Sequence, residues 1–185
     1  LGGWEIVRQI GRGGMAVVYE VRDDAGRTGA LKLVSGRGGD RAEMEERFRR
    51  ELRALSRVDH ANVVGTLDHG RWEERDWFVM DLVVGRDLRL EVEAWELEQP
   101  ADRWARVRRI ATDVARALSA VHAAGLVHRD LTPGNVMVRE DGHAVLMDFG
   151  VAKEAAAPQA GDEELTSHGE LLGTVAWMAP EQIMG

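Results

Sequence analysis

The sequence predicts an α+β fold in two lobes, an antiparallel sheet with one helix followed by a mainly helical part. Three observations carry this. Residues 4 to 34 alternate apolar and polar side chains in runs broken by glycine, the period of a half-buried strand. Residues 100 to 124 repeat apolar side chains every three or four positions, the period of a helix packed on one face. Between 128 and 150, two short apolar runs around Asp141-Gly142 read as a hairpin, flanked by His128-Arg129-Asp130 and Asp148-Phe149-Gly150. A length of 185 residues, 44% of them hydrophobic, suits one globular unit or two small lobes sharing an interface.

The runs WEIVRQI, MAVVYEVRD and TGALKLV read as three antiparallel strands. The first break runs Gly11-Arg12-Gly13-Gly14-Met15-Ala16-Val17-Val18. Glycines at 11 and 13 let backbone amides approach phosphate oxygens, although a plain hairpin with flexible glycines fits this segment equally well. A dinucleotide fingerprint is excluded because it opens a helix, and a strand follows here. Lys32 lies on the third strand, alternating in direction with Leu31 and Leu33. All but two of the 24 basic residues are arginine, with lysine only at 32 and 153. A lysine kept against that usage points to a site that wants a compact ammonium; a solvated surface lysine is the plainer alternative.

Residues 40 to 58 form a predicted helix with Met44, Phe48, Leu52, Leu55 and Val58 in one stripe, and Glu51 falls within it. A carboxylate on a buried face needs a partner, and Lys32 is the natural one. His60-Ala61-Asn62 ends that helix, and two further strands, Val63 to Leu67 and Trp77 to Asp81, flank a turn at 69 to 76. Residues 88 to 98 fit a strand period for several positions, while Leu88, Val92 and Trp95 fit a helical one. From Pro100 to Ala124 a helix places Trp104, Val107, Ile110, Val114, Leu118 and Val121 on one face, with Gly125 past its end. The hairpin strands are Val136 to Val138 and Ala144 to Met147, with the turn at 140 to 143.

Composition narrows the partners. A net charge of −8 argues against nucleic acid and anionic membrane as partners. No apolar run approaches the ~18 residues of a membrane span, and the start has no basic region followed by a long apolar stretch. Cysteine is absent, which excludes disulfides and thiolate metal sites. The first residue is not methionine, as in an excerpt or a processed product.

Asp130, Asn135 and Asp148 converge on one place if the hairpin forms. That offers hard oxygen donors for a cation and leaves Asp130 to face a hydroxyl, the needs of phosphoryl transfer from a metal-bound nucleotide. HRDL, the downstream Asn135 and DFG together resemble the catalytic and metal-binding loops of the protein kinase family. The resemblance implies ATP and Mg²⁺ as cofactors. Gly11, Arg12, Gly13, Gly14 and Ala16 then form the loop over the phosphates, with Ala16 standing where a third glycine is usual. Lys32 reaches the α- and β-phosphates and pairs with Glu51. Met80 guards the back of the adenine pocket, Asp81 to Val83 form the hinge that hydrogen-bonds adenine, Val18 and Ala30 cover the ring from above, and Met137 lies below. Asp130 receives the proton of the attacking hydroxyl, and Asn135 and Asp148 hold the metal. Arg129 meets a phosphorylated side chain, for which Thr166 and Ser167 are the candidates, and Thr174 bridges to Asp130. His128 and Phe149 serve packing, and His60, His69, His122, His143 and His168 take no catalytic role. The resemblance also resolves residues 88 to 98 as a helix.

One departure matters: Thr132 stands where serine/threonine kinases usually carry a lysine that contacts the transferred phosphate. The ending Gly173-Thr174 and Ala179-Pro180-Glu181 resembles the substrate-docking segment of protein kinases, against a small-molecule phosphotransferase. The resemblance thus divides one catalytic domain, 1–185, into a sheet lobe (1–80), a hinge (81–85) and a helical lobe (86–185) that is incomplete, since the family continues with further helices. The arginine-rich wording resembles bacterial members. The expectation is a cytoplasmic serine/threonine protein kinase acting on protein substrates, with self-association for autophosphorylation and no nucleic-acid or membrane contact. The alternative is a pseudokinase that binds nucleotide without turnover.

Overall fold

The computed structural model describes residues 1–12, 16–34, 52–73, 75–148 and 176–180. Strands β1 (Trp4–Arg12), β2 (Ala16–Asp23), β3 (Thr28–Val34), β4 (Thr66–Trp72) and β5 (Arg75–Asp81) form one antiparallel sheet in the order β1-β2-β3-β5-β4. The β2–β3 turn is closed by Asp23, whose carboxylate accepts the Arg27 N–H at 2.7 Å. Period-two alternation then sorts the sheet's two faces. Leu31, Leu33, Trp77 and Val79 join Trp4 and Val21 in an outer core. Ala30, Phe78 and Met80 face the opposite way, into the core shared with the rest of the molecule. Lys32, opposite Phe78 in the register, lies on this second face, as its alternation with Leu31 and Leu33 predicts.

The second part holds β6 (Gly85–Asp87), α1 (Leu88–Glu98), α2 (Arg103–Ala123), a 3₁₀ turn (Pro133–Asn135), β7 (Val136–Arg139) and β8 (Ala144–Leu146). Strands β6, β7 and β8 make a small antiparallel sheet in that order. Helix α1 follows its expected span, and the Asp87 carboxylate caps it by accepting the Leu90 N–H at 2.9 Å. The inner core is continuous between the two parts, running from Ala30 and Met80 through Leu52, Leu55, Val63 and Val64 to Ile110, Val136 and Leu146. Among the described residues no helix is long and apolar enough to cross a membrane.

Several features differ from the sequence expectation. The turn expected at 69–76 is strand for most of its length, and β4 begins at Thr66 instead of Val63. Ladder bonds come from the backbone, so the mostly polar run DHGRW pairs as an edge strand with Trp72 as its one large apolar side chain. The helix expected over 40–58 is described only from 52, and it ends at 55, with a turn at Ser56 and Arg57. Strand β6, three residues long, is too short to show a period. On α2 the apolar stripe begins only at Ile110, leaving Trp104 73% and Val107 39% exposed. Asp113 and Ala117 fill the buried face instead, because the helix lies against β8, where a small side chain and a hydrogen-bond acceptor fit.

Candidate active site

The 3₁₀ turn ahead of β7 is seeded by Pro133 at its first position and closed by the Asn135 N–H on the Thr132 carbonyl at 3.0 Å. This aims Asn135 back at the preceding loop. Its Nδ2 donates to the Asp130 carbonyl at 2.7 Å and to Asp130 Oδ2 at 2.9 Å. The Met147 N–H then donates to the Asn135 carbonyl at 2.8 Å, which sets Asp148 beside the same loop.

His128 is buried under this arrangement, as its packing role predicts. Its Nδ1 accepts the Asp130 N–H at 3.3 Å, so Nε2 carries the ring hydrogen and donates to the Met147 carbonyl at 2.8 Å. Burial pushes its pKa below the ordinary value, opposed by the Met147 carbonyl and by the charges of Asp130 and Asp148. The neutral ring is therefore a strut between the two acidic residues. Arg129 (φ +60°) and Asp148 (φ +45°) both occupy the left-handed region, which costs a side-chain-bearing residue about 1–3 kcal/mol. The surrounding hydrogen bonds hold that strain at the site.

Lys32 Nζ meets Asp148 Oδ1 at 2.8 Å, joining the inner face of the large sheet to the end of the hairpin across 116 positions of sequence. Glu51, its expected partner, lies outside the described residues, as do Gly13, Gly14, Phe149, Thr166, Ser167, His168 and Thr174. The Lys32–Asp148 pair was not foreseen, since no local period relates two residues so far apart.

The remaining described candidates lie on β1, β2, β3, β5, β7 and the segment that follows β5. Gly11 and Arg12 end β1 opposite Val18 and Val17, and Ala16, which opens β2, is buried. Val18 faces Lys32 across the ladder, and Ala30 faces Met80, both of the latter buried. Asp81 is exposed; its N–H donates to the Gly65 carbonyl at 2.9 Å and its carboxylate lies 3.9 Å from Arg27. Val83 and Met137 are half-buried. Ile10, an exposed apolar residue, sits at the irregularity in the β1–β2 pairing.

Among the described residues no three His, Cys, Asp or Glu side chains gather as a metal cluster. The Asn135 amide oxygen and the Asp148 carboxylate are nonetheless hard oxygen donors that suit magnesium, which keeps waters and phosphate oxygens for its other positions.

The chain matches the protein kinase domain over residues 4–185. It is 39% identical, over 98% of its length, to the probable serine/threonine-protein kinase pknA2 of Bifidobacterium longum, of which it covers 23%. It is 40% identical, over its whole length, to the DNA damage-responsive serine/threonine-protein kinase RqkA of Deinococcus radiodurans, of which it covers 27%. The chain thus spans about a quarter of the length of these curated relatives. Among solved structures, the kinase domain of Mycobacterium tuberculosis PknI superposes with a TM-score of 0.65 at 32% identity, over 80% of this chain and 60% of that one. PpkA-294 in its apo form gives 0.70 at 26% identity, over 84% and 62%. The motifs, the two-part fold and these matches agree: the chain belongs to the protein kinase family.

Proposed function

We propose that the chain transfers the γ-phosphoryl group of MgATP to serine or threonine hydroxyls of proteins. The observation that carries this reading is the linked set Lys32, Asp148, Asn135 and Asp130, joined by the 2.8 Å ion pair, the Met147–Asn135 bond and the amide bonds to Asp130. Asp130 orients the acceptor hydroxyl and takes its proton, while the Asn135 amide fixes its carboxylate. Lys32 places a compact positive charge on the nucleotide's α- and β-phosphates. Asn135 and Asp148 hold magnesium, which neutralises charge on the phosphates. Gly11 supports a phosphate-facing loop: a Cβ there would meet only Val18 at 3.6 Å, an ordinary contact, so internal packing does not call for glycine. Gly13, Gly14, Arg12 and Ala16 complete that loop in this reading. Val18, Ala30, Met80, Asp81, Val83 and Met137 enclose the base.

In the same reading residues 1–80, 81–85 and 86–185 act as sheet lobe, hinge and helical lobe. The protein works in the cytoplasm, where ATP is supplied, and copies phosphorylate one another at Thr166 or Ser167. Glu51 and Thr174 support Lys32 and Asp130. The names of the relatives favour serine and threonine over tyrosine.

Peptides carrying serine, threonine or tyrosine as sole acceptor, offered with MgATP, test the reading. Transfer to serine or threonine that falls roughly 10²–10⁴-fold in Asp130→Asn supports it. Thr132 favours a second reading, a nucleotide-binding pseudokinase. Magnesium-dependent nucleotide binding without transfer to any peptide selects that one.

A further inference from the structure

Strand β8 is paired with β7 on one side, and the backbone groups of Ala144 and Leu146 turn toward the other. That open edge is closed by groups from outside the hairpin. The Leu146 N–H donates to the Asn62 carbonyl at 2.8 Å, and the Leu146 carbonyl accepts the Val64 N–H at 3.0 Å. The Ala144 carbonyl accepts from Asn62 Nδ2 at 2.8 Å, and the Ala144 N–H donates to Asp113 Oδ2 at 3.1 Å. Three of the four partners come from the segment that follows the 52–55 helical turn. The fourth comes from α2.

Asp113 is 2% exposed, in a helix stripe otherwise built of Ile110, Val114, Ala117, Leu118 and Val121. An apolar side chain there would leave the Ala144 N–H without this acceptor, and an unpaired buried amide is costly. A carboxylate in such a place is itself costly unless it is held. Here it is held by the Ala144 N–H, by His143 Nδ1 at 3.0 Å and by Arg116 at 3.9 Å. The neighbouring Arg109 donates to the Asp141 carbonyl at 3.2 Å, so α2 grips both the turn and the first residue of β8.

From Ala144 the strand runs without a flexible joint to Met147, whose backbone is fixed by Asn135 and His128, and then to Asp148 in its strained conformation. Resting on the magnesium-site reading above, we propose that Asp113 is a positioning residue for Asp148. Its hydrogen bond to Ala144 sets how far β8 advances toward the metal and so tunes magnesium binding from the far side of the hairpin.

The test measures affinity for a fluorescent ATP analogue at equilibrium, in excess magnesium and in EDTA, in the full-length chain. The quantity read is the gain that magnesium confers. Asp113→Ala is expected to lose about tenfold or more of that gain, the range seen when groups behind a metal ligand are removed, while affinity in EDTA stays the same. Asp113→Asn keeps an acceptor for the Ala144 N–H and is expected to stay within about threefold of wild type. If Asp113→Ala does not melt cooperatively, His143→Ala decides: His143 has a side chain 54% exposed, so its removal spares the core. A two- to threefold loss of the gain is expected there, as roughly one of the two close bonds to Asp113 is removed. A full gain in Asp113→Ala, an equal loss in Asp113→Asn, or an unchanged gain in His143→Ala when that variant must decide overturns the proposal. A wild-type chain that gains nothing from magnesium overturns the site reading and this proposal together.

Discussion

Thr132 offers its carbonyl to Asn135 and so shapes the loop, but it brings no cation to the acceptor side of the site. Where a family member carries lysine at this place, a positive charge meets the transferred phosphate as charge develops. We expect Thr132→Lys to raise kcat about tenfold or more with little change in the KM for ATP, since comparable electrostatic contacts carry 10²-fold or more. Steady-state kinetics on one peptide acceptor would show it; an unchanged kcat would mean that another group already supplies the charge. His128 yields a prediction about pH. Its pKa is depressed by burial from 6.5, so the unfolded chain takes up a proton at a higher pH than the folded one. The neutral ring therefore adds stability that is fully present above about pH 6.5 and is lost as pH falls from there toward the folded pKa. His128→Gln should show a smaller drop in thermal midpoint between about pH 7.5 and about pH 5.5 than wild type. An equal drop would place the acid sensitivity elsewhere. At this scale Asp130, Asn135, Asp148 and Lys32 could be singled out in the sequence because each residue type suits the chemical task proposed for it, and the structure links them. The Lys32–Asp148 bond and the role of Asp113 were not, because both depend on partners far away in sequence.

Elements were legible where a period lasted long enough to be read. Strands β1 to β3 and the helices α1 and α2 lie within a few residues of their expected spans. Failures occurred where polar residues pair through the backbone, as in β4, and where a three-residue strand, β6, shows no pattern. The exposed Trp104 and Val107 show the same limit from the other side: they continue the apolar period of α2 past the part of the helix that has something to pack against. Strand β6 still matters, because it ties the start of α1 to β7. Gly85 is required there, since a Cβ would overlap the Val138 carbonyl and come within 2.9 Å of its carbon atom, and neither backbone can yield cheaply. Gly85→Ala should lower the unfolding free energy by about 1–3 kcal/mol or more, measured by urea denaturation, and weaken ATP binding in step with the disturbed β6–β7 pairing. A variant of unchanged stability would show that β6 is not held against β7 in solution.

At the scale of the molecule, one apolar core extends from the inner face of the five-stranded sheet to α2 and the small sheet. The polar site is assembled along its edge, with Lys32 on one side and Asp148 on the other. The segment 62–64 runs beside β8 and bonds to it, so the two parts meet through hydrogen-bonded backbone as well as through packing. This explains how residues 32, 130, 135 and 148, spread through most of the chain, come to one place. The two-part architecture was legible because it follows from the order of strand and helix periods. The edge-to-edge contact that unites the parts was not, because nothing in VVG or AVL marks one run as the partner of the other. The measurement that bears most directly on the proposed activity is mass spectrometry of the chain after incubation with MgATP and an acceptor protein, beside Asp130→Asn. The account predicts phosphate on serine or threonine of the chain or of the acceptor in the wild-type reaction and its near absence in the variant. Equal modification in both reactions, or none in either while nucleotide still binds, would contradict it.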